Sequence, residues 1–377
     1  MKKYIPFVFI VFLVFTSCST GKKALQKGDY FSAVSKSVQR LQSDPDNRKA
    51  VTVLKESYPL AIEWSQEEMD RILSLNEPFK WSGAVELMEQ VNNMAAEIRQ
   101  SPVARKIIPD PKTYTSELSM GRERAAIEQY DAGMEFMEKG TREAAREAYN
   151  HFSMAGRFIP GYSDVTEMLD EAKTTATLNV IMEAIPVHAQ KYQLSSEFFY
   201  DQIFEFLNNK YPRESFVNFY SPGQAERIGL NSPDMVVKLE FYDFVVGQVE
   251  QSEKEEEVKR HVEVETRDTT RTAYKTYTAK LKTFSDKVNS GGVLDVKIVE
   301  TGAGKLLLSE RIPGSFTWVN EYAMYVGDEE ALDKKQLELT KRKVAPLPPG
   351  QDLFVEFTRP IYDQLSNKLN RFFRQYN

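Results

Sequence analysis

Side chains suited to nucleophilic, acid–base or metal chemistry are scarce: there is one cysteine, Cys18, and three histidines, His151, His188 and His261, in 377 residues. No two histidines share a window with metal-ligand spacing, and neither H-E-x-x-H nor G-x-S-x-G occurs. The sequence therefore offers no recognisable catalytic residue, metal site or cofactor fingerprint. His151 stands beside Phe152 in a helical pattern and reads as structural, while His261 sits in a charged stretch. Gly302-Ala303-Gly304-Lys305 resembles the end of a phosphate loop, yet Val299 replaces the earlier glycine and Leu306 the hydroxyl residue. Strand-like segments flank it, so a hairpin turn is expected. The carboxylates are many, and the sequence does not say which of them converge. What remains is the sulfur of Cys18.

Cys18 follows a leader of recognisable layout. Lys2 and Lys3 are followed by the apolar run from Tyr4 to Phe15, then by the small residues Thr16 and Ser17. That is the pattern of a secretory signal, with residues 1–17 removed. The run is shorter than the roughly 20 residues a spanning helix needs. Phe15-Thr16-Ser17-Cys18 resembles the lipobox of bacterial lipoproteins, with Phe15 where leucine is usual. The resemblance implies that Cys18 is the lipidation site, carrying acyl chains such as palmitate. The alternative is a buried cysteine acting as a small hydrophobe, but Ser19-Thr20-Gly21-Lys22-Lys23 offers no core for it. Ser19 in place of aspartate, with no acidic residue before Ala24, implies by the same likeness an outer-membrane lipoprotein facing the periplasm.

The net charge is −6, and loss of Lys2 and Lys3 makes it more negative. With no dense basic cluster, nucleic acid is excluded as a partner class, and so is electrostatic attachment to anionic lipid. A lone cysteine allows no internal disulfide. The length calls for at least two domains.

Residues 18–175 read as helical. Gly28, Ala33, Pro45 and Asn47, with Val34, Val38 and Leu41 at helical spacing, resemble the second half of a tetratricopeptide repeat, with Ser37 in place of a large residue. Ala50, Val51, Leu54 and Tyr58 open a following unit that Pro59 interrupts. Ala148, Phe152, Ala155 and Pro160 fit the same repeat, and Gly133 and Phe136 join it if extra residues fill the turn near Gly140. A generic helical bundle is the alternative. Between these units, Leu87, Val91, Met94, Ala95 and Ile98 form the core stripe of a helix over about 82–99, and a helix over 116–139 follows the prolines at 109 and 111. A helical-repeat half implies a groove for a protein partner, with Tyr30, Tyr58 and Tyr130 as candidate partner-binding side chains.

Residues 176–377 alternate. Strands are expected over 178–187, 216–220, 235–246, 274–284, 293–299 and 306–311. Helices are expected over 198–210, capped by Ser195-Ser196, over 222–228 and over 354–373. The fold class is therefore a tetratricopeptide-like helical domain followed by an α+β sheet domain. The order from Leu178 to Asn377, with Asp234-Met235-Val236-Val237 and the turn at Gly302, resembles the domain shared by the curli-secretion lipoprotein, the lipoprotein activators of cell-wall synthases and the amino-terminal domain of TolB. A charged segment over 249–277 reads either as a hairpin arm, with Arg260 and Arg267 as partner-binding candidates, or as a solvated loop. Its charges argue against a lipid-facing pore strand. Asp333 to Lys343 reads as a surface linker.

The resulting expectation is a non-enzymatic, lipid-anchored scaffold of an envelope assembly, secretion or cell-wall machine, whose sheet domain docks on a second protein or self-associates. The rivals are a surface ligand- or glycan-binding lipoprotein using Trp318 and Tyr322, and an unfamiliar hydrolase.

Overall fold

The computed structural model describes residues 21–186, 192–264 and 273–377. Cys18, His188 and Arg267 lie outside these residues. The chain divides into two units, ending and beginning at Ala176 and Thr177.

The first unit is helical: α1 (Lys22–Gln26), α2 (Tyr30–Ser43), α3 (Arg48–Ser74), α4 (Lys80–Gln100), α5 (Pro102–Ile107), α6 (Ser116–Glu138), α7 (Arg142–Phe158) and α8 (Val165–Ala176). Short polar side chains set the starts. Asp29, Asn47, Ser101 and Thr141 each accept the backbone N–H three residues on, satisfying donors that a helix end leaves open. Pro59 does not interrupt α3, contrary to the sequence expectation. The ring removes the bond to the Lys55 carbonyl, but Pro59 and Lys55 are both exposed, so that carbonyl faces water and the helix continues. One core gathers Val34, Val38, Leu41, Leu54, Met88, Val91 and Ile98 from α2, α3 and α4. Another gathers Ala148, Phe152, Ala155, Val165 and Ala172 from α7 and α8.

The second unit runs β1 (Leu178–Met182), α9 (Gln193–Lys210), β2 (Val217–Tyr220), α10 (Pro222–Arg227), β3 (Met235–Val264), β4 (Ala273–Glu300), β5 (Lys305–Gly327), α11 (Lys334–Lys341) and α12 (Gly350–Phe373). The sheet order is β2-β1-β3-β4-β5. β1 is parallel to both β2 and β3, and the later pairs are antiparallel. The α+β class is thus a mixed five-stranded sheet. On one face, Val237, Leu239, Phe241, Leu294, Val296 and Ile312 pack under α9 and α12, which contribute Ile203, Leu207, Phe354, Phe357, Ile361 and Leu365. α12 comes closest at Gly314, where a Cβ would lie 2.4 Å from the Phe357 carbonyl oxygen.

Four sequence expectations for this second unit need correction. β1 stops at Met182, short of the expected 187. α9 begins at Gln193, so Ser195 and Ser196 lie in its first turn and do not cap it; both are buried. Residues 334–341 form α11, not a linker. Asp333 and Gln336 make a reciprocal capping box, and Leu337 and Leu339 pack against Ala279, Leu281 and Ala323.

The fourth is the largest. The segments expected as separate strands are three continuous ones of 30, 28 and 23 residues. Beyond the helix-covered core they continue as an arm. Two register shifts in β3, at Phe241/Asp243 and Val245/Gln248, mark its root. Bulges of this kind bend and twist a strand, and Gly247, at φ +78°, supplies the left-handed residue the second one needs.

Candidate partner-binding surfaces

The arm is built from pairs that only tertiary structure brings together. β3 carries Glu250, Glu253, Glu255, Glu256 and Glu257, which have low strand propensity. β4 answers with Lys287, Lys282 and Lys280 directly opposite Glu250, Glu255 and Glu257, and Lys282 Nζ lies 3.0 Å from Glu253. Opposite charges facing across a pair contribute about 0.2–1 kcal/mol relative to alanines. The ladder of β3 and β4 extends from Gln248 to Val264 on β3, about 55 Å at a normal rise per residue. β5 accompanies β4 out to Gly327, opposite Ala279.

The two faces of the arm differ. On one, Ala279, Leu281 and Ala323 are covered by Ala331, Leu332 and α11. On the other, strand alternation places Phe284 and Lys282 of β4 beside Trp318, Tyr322, Met324 and Val326 of β5, and beside Glu253 and Glu255 of β3. Phe284 and Tyr322 stack at 4.9 Å, while Met324 and Val326 are 58% and 79% exposed. Within this face Asp286 is buried and accepts a hydrogen bond from Gln251 Nε2 at 2.8 Å. The Nδ2 of Asn320, opposite Asp286, is buried without a partner. Acidic residues fall on both faces of β3 within the arm, so β3 presents no apolar band of the kind a lipid-facing strand requires.

The three candidate tyrosines carry packing roles. Tyr30 is half-buried against the α2–α4 core. The Tyr58 hydroxyl accepts the Lys112 N–H at 2.7 Å. Tyr130 donates to Asp164 Oδ1 at 2.5 Å and packs its ring on Phe152 and Tyr162. Arg260 is exposed near the outer end of the arm, where it lines a cleft of about 460 Å³ with Glu329, Glu330 and Asp333. Trp318 and Tyr322 lie on one face of β5.

A separate crevice of about 700 Å³ lies past the carboxyl ends of β1 and β2, lined by Pro186, Glu197, Tyr200, Asp201 and Ser221. Burial pushes the Tyr200 phenol up to about 12, and its hydroxyl donates to the Met182 carbonyl at 2.8 Å. That group is a fixed donor and not a base at neutral pH. Among the described residues no set of three or more His, Cys, Asp or Glu could hold a metal ion, and no helix is long and apolar enough to cross a membrane.

His151 is structural in detail. Its ring stacks between Phe79 at 5.0 Å and Phe136 at 5.3 Å, and its Nδ1 meets Gln129 Oε1 at 2.7 Å. Gln129 Nε2 in turn donates to Ser82 Oγ. Burial holds the imidazole below its ordinary pKa, against the opposing pull of Glu147. The unfolded chain then takes up the proton at higher pH than the folded one, so this contribution is full above about 6.5 and is lost as pH falls towards the folded value. His151→Phe is expected to flatten that part of the pH dependence. Urea midpoints compared between about pH 7 and about pH 5 check it, and equal slopes for both proteins would refute the buried imidazole.

No family model matches the chain. No curated protein matches it either. Among solved structures, a protein described as a neuraminyllactose-binding hemagglutinin homolog from Helicobacter pylori is similar over 53% of this chain and 90% of its own, at 12% identity and a TM-score of 0.27.

Proposed function

We propose that this protein is a lipid-anchored, non-enzymatic scaffold of the bacterial cell envelope whose working surface is the arm of β3, β4 and β5. The observation that carries the reading is the arm itself. Its outer strands leave main-chain edges beyond the core, and one face keeps Trp318, Tyr322, Met324 and Val326 beside a row of glutamates without a covering helix. Aromatic and methionine side chains rimmed by charge are the composition of protein–protein contact surfaces. The leader and Cys18 supply the anchor, and the periplasmic side of the outer membrane is the proposed location. The helical unit is read as tetratricopeptide-like. Gly28 stands at φ +77° before α2, and Ala33, Ala148 and Ala155 are fully buried at helix contacts.

Two measurements test this together. Cys18→Ala should lose metabolic palmitate label and leave the membrane fraction, and a labelled or membrane-bound variant would refute the anchor. A photo-crosslinking residue at Met324 should give a discrete protein adduct in cells, removed by Trp318→Ala with Tyr322→Ala. An adduct indifferent to those substitutions, or none, would refute the arm as the contact surface.

A further inference from the structure

β2 is the outermost strand of the sheet, at the opposite edge from β5, and a cleft of about 830 Å³ runs along its free side between the end of α9 and α10. Which main-chain groups face that cleft follows from the ladder. The Leu178 N–H donates to the Phe216 carbonyl at 2.8 Å, and Leu178 and Val180 pair with Val217 and Phe219. In a parallel pair, residues 216, 218 and 220 then turn their N–H and C=O towards β1, while 217 and 219 turn theirs outward. The outward groups of Val217 are engaged by Ser215 Oγ at 3.0 and 3.4 Å. The next outward N–H, on Ser221, is closed by Gln224 Oε1 at 3.0 Å. Among the described residues the outward N–H and C=O of Phe219 have no hydrogen-bond partner, and Phe219 lines the cleft.

The charge of the cleft has one sign. Arg213 and Arg227 line it, and none of its lining residues is acidic. Arg227 donates from Nε to the Gly223 carbonyl, which leaves its terminal nitrogens available. Among the described residues neither guanidinium has a carboxylate within 4.0 Å. Asn208 and Asn218 add side-chain amides, and Ile228, 60% exposed, adds an apolar rim. One open main-chain pair on the strand edge, two guanidiniums without a carboxylate partner among the described residues and an apolar side chain together match an extended backbone bearing carboxylates.

We infer that the β2 cleft binds an acidic, extended peptide segment of a partner protein. The segment adds as a strand beside β2, with main-chain bonds to Phe219 and carboxylates on Arg213 and Arg227. The site is independent of the arm, so either can fail while the other stands.

The test uses the full-length chain in detergent and fluorescence anisotropy of a labelled peptide of alternating valine and glutamate. Two comparison peptides carry lysine for glutamate, or N-methyl groups on alternate backbone nitrogens. The glutamate peptide should bind saturably. Arg213→Ala with Arg227→Ala, both at exposed positions, and each comparison peptide should weaken binding about tenfold or more. An unchanged thermal midpoint in the variant shows that the fold is intact. Equal binding of the N-methylated peptide would reduce the site to a charge patch and overturn strand addition. An alginate oligomer binding as tightly as the peptide would assign the cleft to carboxylated glycans and overturn the partner class. No saturable binding of the glutamate peptide at millimolar concentration would overturn the site itself.

Discussion

Phe354→Ala is expected to cost about 3–5 kcal/mol, the range for truncating a fully buried phenylalanine, against a total stability of about 5–15 kcal/mol for a typical domain. The side chain has no exposed surface and meets four aromatic rings: Tyr192 at 5.6 Å, Phe241 at 5.3 Å, Phe244 at 5.8 Å and Phe357 at 5.0 Å. These come from the start of α9, the root of β3 and α12, so no single neighbour can move in to fill the void. The effect extends beyond stability. Leu353, the adjacent residue, lies 3.8 Å from where a Cβ on Gly247 would stand, which places the first turn of α12 against the bulges where the arm departs. Loosening that turn should lower amide-exchange protection around residues 241–250 before it lowers protection in β1. Urea unfolding followed by circular dichroism gives the energy, and exchange mass spectrometry gives the place. A loss under about 1 kcal/mol, or protection falling uniformly, would mean that the aromatic cluster does not hold the arm root.

Much of this architecture was readable where local pattern and burial agree. The stripe of Leu87, Val91, Met94 and Ile98 gave a helix because one face of α4 is core, and the turn over residues 301–304 was visible because glycines interrupt two apolar runs. Reading stopped where the stabilising partner is distant in sequence. The run from Glu253 to Glu257 left a hairpin arm and a solvated loop both open; its pairing with β4, whose lysines lie some 25 residues on, is a register fact that local pattern does not contain. Lys334 to Lys341 looked like a linker because its few apolar residues, Leu337 and Leu339, acquire a surface only once Ala279 and Leu281 stand opposite. Pro59 was overvalued as a breaker because exposure, which decides its cost, is tertiary. The cleft beside β2 was missed in the same way. Arg213 and Arg227 are ordinary charges in sequence, and only the edge position of β2 sets them along one cleft. Tyr30, Tyr58 and Tyr130 were named from the helical-repeat likeness alone, and their contacts with the helical core, Lys112 and Asp164 became visible only in the fold.

Phe152→Ala should be comparably severe in the helical unit, at about 3–5 kcal/mol, since the ring is fully buried between α6, α7 and α8. Its partner in this respect is Gly133. A Cβ built there would stand 2.5 Å from Phe152 Cε1 and 2.7 Å from Cδ1, inside any allowed contact, so Gly133→Ala should itself cost about 1–3 kcal/mol by overpacking. Helix propensity pulls the other way, favouring alanine over glycine in a helix interior by about 1 kcal/mol. The sign of the single substitution therefore reports which effect wins, and the ring contact is short enough that packing should. Combining Gly133→Ala with Phe152→Leu separates the two. The smaller side chain leaves the space the new methyl needs, and the double variant should be more stable than the sum of the singles by at least about 1 kcal/mol. Strict additivity in urea-unfolding free energies would show that α6 and α7 do not meet through this pair. A stabilising Gly133→Ala would show that the glycine answers to something other than the ring. Either result would remove the close helix contact on which the repeat-like reading of this unit rests, whereas the expected coupling would fix α6 and α7 as one antiparallel pair held at a small-residue crossing.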